Sequence, residues 1–136
     1  MGNTKPIGVA YSDQDISGAD TLLSNNQFGY TAAAQGTVTQ ATSKSTAVTL
    51  NKSAGQITMN TASLAANTAV SFTLNNNLLS ANDIIITNIS AGGTAAAYTT
   101  YVSSMTTGSA VITLRNMTAS PLAEAVVVNF ALVHCI

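Results

Sequence analysis

Charge is what this chain has least of. Asp, Glu, Lys and Arg make up 7% of its 136 residues, against about a quarter in an ordinary soluble domain. The four basic residues, Lys5, Lys44, Lys52 and Arg115, are scattered, and the formal net charge is −1. With no basic stripe to neutralise a phosphate backbone, no nucleic-acid partner is expected. Tryptophan is absent, and the three Phe and four Tyr residues leave few rings for the exposed aromatic cluster of a carbohydrate-binding sandwich. The single cysteine, Cys135, cannot form an internal disulfide, so nothing points to an oxidising compartment. The longest strongly apolar stretch, Ala125 to Val133, is far too short to cross a bilayer and is interrupted by Asn129. No membrane partner is expected. The N-terminus lacks the charged-then-apolar pattern of a secretion signal. Met1-Gly2 would suit myristoylation, but Pro6 stands where Ser or Thr is wanted. The chain therefore reads as made and used without secretion.

Titratable groups are equally sparse, which bears on catalysis. His134 is the sole histidine and is followed directly by Cys135. Neighbours on a strand point to opposite faces, so the two cannot act there as base and nucleophile. A serine triad would need His134 with Asp83 or Glu124, and no nucleophile-elbow sequence supports one. No enzymatic activity and no cofactor are expected. Asp13-Gln14-Asp15, with Asp20 five residues on, has the carboxylate spacing of a calcium loop. It lacks the glycine and the twelfth-position glutamate of a helix-loop-helix site, so a solvated turn is the preferred reading and no metal is assigned. Asp83 and Arg115 fall at strand ends and would suit a pair across the sheet or between copies. The sequons at Asn51, Asn88 and Asn116 are no more than a chain rich in Asn, Ser and Thr produces by chance.

Hydrophobic residues, by contrast, supply 46% of the chain. That excludes disorder, and the length suits one domain with its own core. From Met1 to about Gln35 short apolar pieces sit among Gly, Asp, Ser, Asn and Gln, with four of the nine charged residues. This quarter reads as an extended arm. Ordering a residue costs about 1–2 kcal/mol in backbone entropy, which so few apolar side chains do not offset. The arm is thus expected to lie on the body, on a neighbouring copy or on a different protein.

From Gly36 onward, short strands alternate with polar turns. Val48 and Leu50 alternate with Ala47 and Thr49, and Asn51 to Gly55 reads as a turn in which Gly55 is free to take positive φ. Ile57 and Met59 follow. Val70, Phe72 and Leu74 face one way, and Ala69, Ser71 and Thr73 the other, with the period of a half-buried strand. Ile84-Ile85-Ile86 is apolar on both faces, as a central strand would be. Ala91-Gly92-Gly93-Thr94 marks a turn, and Tyr98 to Val102, Val111 to Leu114 and Ala125 to Val133 complete the set. Helical periodicity is missing, with room only for a turn of helix near Ser63 to Ala66 or Leu78-Leu79. The expected fold is all-β, an antiparallel β-sandwich or jelly-roll-like body of about seven or eight short strands over residues 36–136, preceded by the extended N-terminal arm 1–35. Threonine on the outer positions keeps the β-branched shape while offering a hydroxyl, a surface that is polar without charge and suited to self-association.

Gly36 to Leu50 (GTVTQATSKSTAVTL), Gly55 to Met59 (GQITM), Val70 to Leu74 (VSFTL), Asp83 to Asn88 (DIIITN) and Leu122 to Phe130 (LAEAVVVNF) together resemble a module of tailed-bacteriophage and prophage structural proteins. Lys5 to Val9 (KPIGV) resembles the start of small proteins from phage head-gene neighbourhoods. The resemblance covers most of the chain and carries strand and turn residues, with no catalytic ones. It implies a capsid decoration (cement) protein, a homotrimer on the exterior of the virion head, made in the host cytoplasm. Its partners would be the major capsid protein and its own copies. A similar module occurs in head- or tail-fibre appendages, where it would act in receptor binding. On the first reading the arm contacts the capsid, with Lys5, Pro6, Ile7, Val9, Tyr11 and Ile16 as the contact residues.

Overall fold

A computed structural model describes residues 20, 21 and 23–135. Within them the chain is almost all β, and side-chain alternation sets the layers. Eight strands form: β1 (Gln35–Thr39), β2 (Val48–Thr49), β3 (Ala54–Thr58), β4 (Ala69–Asn75), β5 (Ile84–Ala91), β6 (Tyr98–Thr106), β7 (Ser109–Asn116) and β8 (Val127–Val133). They build two four-stranded sheets, ordered β1-β3-β8-β5 and β2-β4-β7-β6. The one helical element among the described residues is a 3-10 turn at Ala32–Ala34. Leu64, in one of the two places with room for a turn of helix, bridges Leu122.

The inner faces meet in one core. Ile57, Ile85, Val128, Phe130 and Leu132 come from the first sheet, and Val48, Phe72, Leu74, Ile112 and Leu114 from the second. Each is nearly or fully buried, and burying a side chain of this size contributes about 1.5–3 kcal/mol. Val70, Phe72 and Leu74 take the inward positions that their spacing predicts. The outer face of the second sheet carries the hydroxyls. Ser71 Oγ and Thr113 Oγ1 lie 2.8 Å apart on β4 and β7, and Thr113 Oγ1 donates to Ser103 Oγ on β6 at 3.0 Å. This short ladder closes over Thr113 so well that an outward-facing residue is buried.

Three expectations need correction. The sheets are mixed and not purely antiparallel, because β1 pairs β3 in parallel and β2 pairs β4 in parallel. From β1 to β6 the chain changes sheet after every strand, and only β6 and β7 form a hairpin. A strand that returns to its sheet after an excursion to the other one can run parallel to the strand it left, and residue alternation carries no trace of that direction. Ile84 to Ile86 belong to an edge strand and not a central one: β5 ends its sheet, with Ile85 buried and Ile84 and Ile86 exposed. Gly55 is not a turn residue. It lies within β3 opposite Gly36, where a Cβ would meet Gly36 O at 2.6 Å, Leu50 Cδ2 at 2.8 Å and Phe130 Cε1 at 3.2 Å. The glycine is there for close approach, while positive φ falls to Gly92 (+74°) and Gly108 (+82°) in turns.

The sandwich ends are tied by short polar side chains. Asn116 is fully buried, and its Nδ2 donates to the carbonyls of Leu64, Ala65 and Ser120 while its Oδ1 accepts from Thr118. Gln40 donates to the carbonyls of Lys44 and Thr46 and accepts from the Asn60 N–H. Asn76 donates to Lys52 O at 2.8 Å and accepts from the Leu78 N–H.

Gly55→Ala is expected to destabilise the protein by about 1–3 kcal/mol, since backbone and a packed ring stand where the methyl would go. Gly29→Ala, in open space, is expected to change stability by less than about 0.5 kcal/mol. Urea denaturation of the two variants checks the contrast.

Candidate functional site

On the outer face of the first sheet the side chains turn apolar at one corner. Ile84 lies opposite Val133, and Ile86 opposite Ala131, across the β5–β8 pair. Ile84, Ile86 and Val133 remain 54%, 58% and 46% exposed. The chain leading into β1 crosses this corner. The Tyr30 hydroxyl donates to Leu132 O, and Gln35 Nε2 donates back to Tyr30 O. Lys52 Nζ holds Ala33 O at 2.9 Å, fixing the approach to β1. Phe28, two residues before Tyr30, is 87% exposed. Between this strap and the sheet runs a groove of about 500 Å³ lined by Phe28, Tyr30, Ile86, Ala131, Val133 and His134, among others. None of its lining residues is Asp, Glu, Lys or Arg.

A latch secures the corner. Asp83, at the mouth of β5, has a side chain only 1% exposed. Its Oδ2 accepts from Ser80 N–H (2.9 Å) and lies 2.8 Å from His134 Nδ1. Its Oδ1 accepts from the Ser80 hydroxyl (2.7 Å) and from Cys135 N–H (3.1 Å). The Ser80 N–H is the main reason that the Asp83 carboxyl is held down to about 2. Burial opposes it, and the Ser80 hydroxyl, the Cys135 N–H and His134 assist. His134 and Cys135 lie just past the end of β8, so strand alternation no longer separates them and both turn to one carboxylate.

Within one chain Asp83 and Arg115 do not pair across the sheet. Arg115 is exposed on β7, opposite Ala69 and Thr99, and Asp83 pairs with His134. Asp83 and His134 are the two groups that a serine triad would require, but the Ser80 hydroxyl donates to Asp83 and not to the imidazole. The arrangement fastens β8 to the start of β5.

A second polar knot holds the opposite loops. Lys44 is buried and donates to the carbonyls of Asn60 and Glu124. Burial pulls its ammonium below the usual lysine range, and the Glu124 carboxylate partly restores it. Glu124 itself is lowered first by the Thr94 hydroxyl (2.7 Å), then by the Thr94 N–H (3.1 Å). The buried Tyr98 phenol is pushed up by burial and by Glu124, which stands close without meeting it at hydrogen-bonding geometry. Lys44 and Glu124 thus satisfy loop backbone and the Thr94 hydroxyl, while the Tyr98 hydroxyl is left without a hydrogen-bond partner among the described residues.

Of the residues expected to act as contacts, Lys5, Pro6, Ile7, Val9, Tyr11 and Ile16 lie outside the described residues, as do Asp13 and Asp15. Asp20 is exposed, and among the described residues no three His, Cys, Asp or Glu side chains are grouped to hold a metal. Among them, too, no helix is long and apolar enough to cross a membrane. The sequence reading missed the corner. Its signal was present in the isoleucine triplet, whose outer pair is exposed once β5 is an edge. The chain matches no protein family, characterised protein or solved structure.

Asp83 binds a proton less readily folded than unfolded, where its value is near 3.8. Between about pH 4 and pH 2 the unfolded chain takes up more protons, so stability falls as the pH drops through this window. Asp83→Asn is expected to flatten that slope while lowering stability at neutral pH. Denaturant titrations at stepped pH measure both effects.

Proposed function

We propose that this protein is a structural component of a bacteriophage virion, a capsid decoration protein that forms trimers on the head exterior and staples major capsid subunits. The observation that carries the reading is an almost uncharged surface with two distinct textures. The β2-β4-β7-β6 sheet presents serine and threonine hydroxyls, suited to pairing with other copies. The corner of Ile84, Ile86 and Val133 offers the kind of exposed apolar patch that marks a protein interface. Phe28 and Tyr30 line the groove at that corner, and Lys5, Pro6, Ile7, Val9, Tyr11 and Ile16 further upstream are the proposed capsid contacts. Few long charged side chains have to be immobilised at either face, so association loses little rotamer entropy. The phage-module resemblance of the strand and turn sequences supports the same reading.

Stapling works by contact area: each copy ties together several capsid subunits that would otherwise part under internal pressure. Heads assembled without the protein are expected to fail at lower temperature and at low ionic strength. Survival equal to that of complete heads would remove the stapling role. Ile86→Asp is expected to lower occupancy on heads while shifting the free protein's stability by less than about 0.5 kcal/mol, because the side chain is already largely exposed. Occupancy is read from copies per particle. Hundreds of copies on complete heads agree with decoration, and a few would place the protein in a fibre or appendage.

A further inference from the structure

We infer that two copies of this chain pair through the free edge of β6, antiparallel about a two-fold axis at Thr100. β6 is the longest strand, nine residues, and it ends its sheet. Met117 N–H donates to Ala97 O, and Asn116 N–H turns the other way, to Thr68 O. Backbone groups alternate along an antiparallel ladder, so Thr99 and Tyr101 bond to β7 while Tyr98, Thr100 and Val102 turn theirs outward. None of those outward groups has a hydrogen-bond partner among the described residues. An edge of this kind is a template for another strand, and proteins usually guard it with charge, proline or shortness. β6 (YTTYVSSMT) has neither charge nor proline. At the opposite edge of the same sheet, β2 is only two residues long.

The chemistry and length of the edge fix what it accepts. Its free groups are main-chain donors and acceptors at extended spacing, so the occupant is a strand. The ladder with β7 is regular from Tyr98 to Val102 and is interrupted by a bulge at Ser103. That leaves a short regular segment centred on Thr100. Laid antiparallel on its own twin, it sets Thr100 against Thr100 and Tyr98 against Val102, and every outward group of both copies finds a partner. The segment carries no charge, so no like charges meet. Thr99 then faces the twin's Tyr101 on the outer face, a β-branched residue beside a ring. Thr100 Oγ1 is buried with no partner among the described residues, and rotation about χ1 brings it within reach of the twin's Thr100 hydroxyl. Each copy spends the one long edge of this sheet, so pairing closes at two and does not run on into a fibre. The contact is separate from the threefold association of the proposed function. In a trimeric protein it would join one trimer to the next.

Disulfide formation between copies of the full-length free protein tests the pairing. In a Cys135→Ser background, Thr99→Cys and Tyr101→Cys are made as separate proteins, both on the outer side of β6. Directly opposed residues that share no hydrogen bond lie about 4.5 Å apart at Cα, whereas like residues on the two copies would be diagonal neighbours at about 7–8 Å. Under mild oxidation an equimolar mixture is therefore expected to cross-link at least about tenfold faster than either protein alone, with the mixed dimer as product. Sedimentation equilibrium of the unsubstituted protein should show its mass doubling with concentration, from one copy to two or from one trimer to two. Equal rates in the mixture and in the single proteins would overturn the inference. A mass that never doubles would also overturn it, in favour of a strand from a different protein at this edge. Doubling without any trimer would uphold the pairing and count against the proposed function alone, and a trimer that does not double would do the reverse.

Discussion

Backbone groups at the ends of a sandwich have no strand to pair with, and this chain has many of them. Because it changes sheet after every strand from β1 to β6, each connection must arch over the core. Buried amides and carbonyls in those arches need partners, or each costs about as much as a lost hydrogen bond. The partners are polar side chains whose heads reach two or three backbone groups at once: Asn116 on three carbonyls, Gln40 on two, Lys44 on two, and Asp83 on the amides of Ser80 and Cys135. The core supplies most of the free energy, and these ties satisfy the backbone of the arches between the strands.

The same economy of charge explains the surface. Of the described charged residues, Lys44, Asp83 and Glu124 are bonded to loop backbone or hydroxyls, and Lys52 holds the strap. Little charge is left to separate neighbouring copies. A sheet face of hydroxyls and a corner of isoleucines are then the two textures available for contact, one directional through hydrogen bonds and the other not.

How far the residues themselves disclosed this depends on the range of the interaction. Alternation is local, so the strands and the inward placement of Val70, Phe72 and Leu74 were legible. Strand direction and sheet order are properties of distant segments. The parallel pairing of β1 with β3 and the edge position of β5 left no mark on their own residues. Gly55 illustrates the ambiguity: a glycine needed for clearance from Gly36 O and Phe130 resembles one needed for a turn. Asp83 and His134 are 51 residues apart and meet only because β5 and β8 are neighbours. The apolar corner was hidden for the same reason, since exposure of Ile84 and Ile86 follows from what β5 lacks on its far side.

The position of β8 has a consequence for the order of events during synthesis. It is the strand between β3 and β5, so the first sheet has no continuous hydrogen-bonding until the residues up to Val133 have left the ribosome. Before then β1 with β3, and β5 alone, are partial edges presenting apolar inner faces, while β4, β7 and β6 can already assemble. Pairing of β8 with β5 is what brings His134 to Asp83 and sets Val133 beside Ile84. The apolar corner therefore cannot exist before residue 133 has been made, whereas the hydroxyl face of the second sheet needs only β2, β4, β7 and β6.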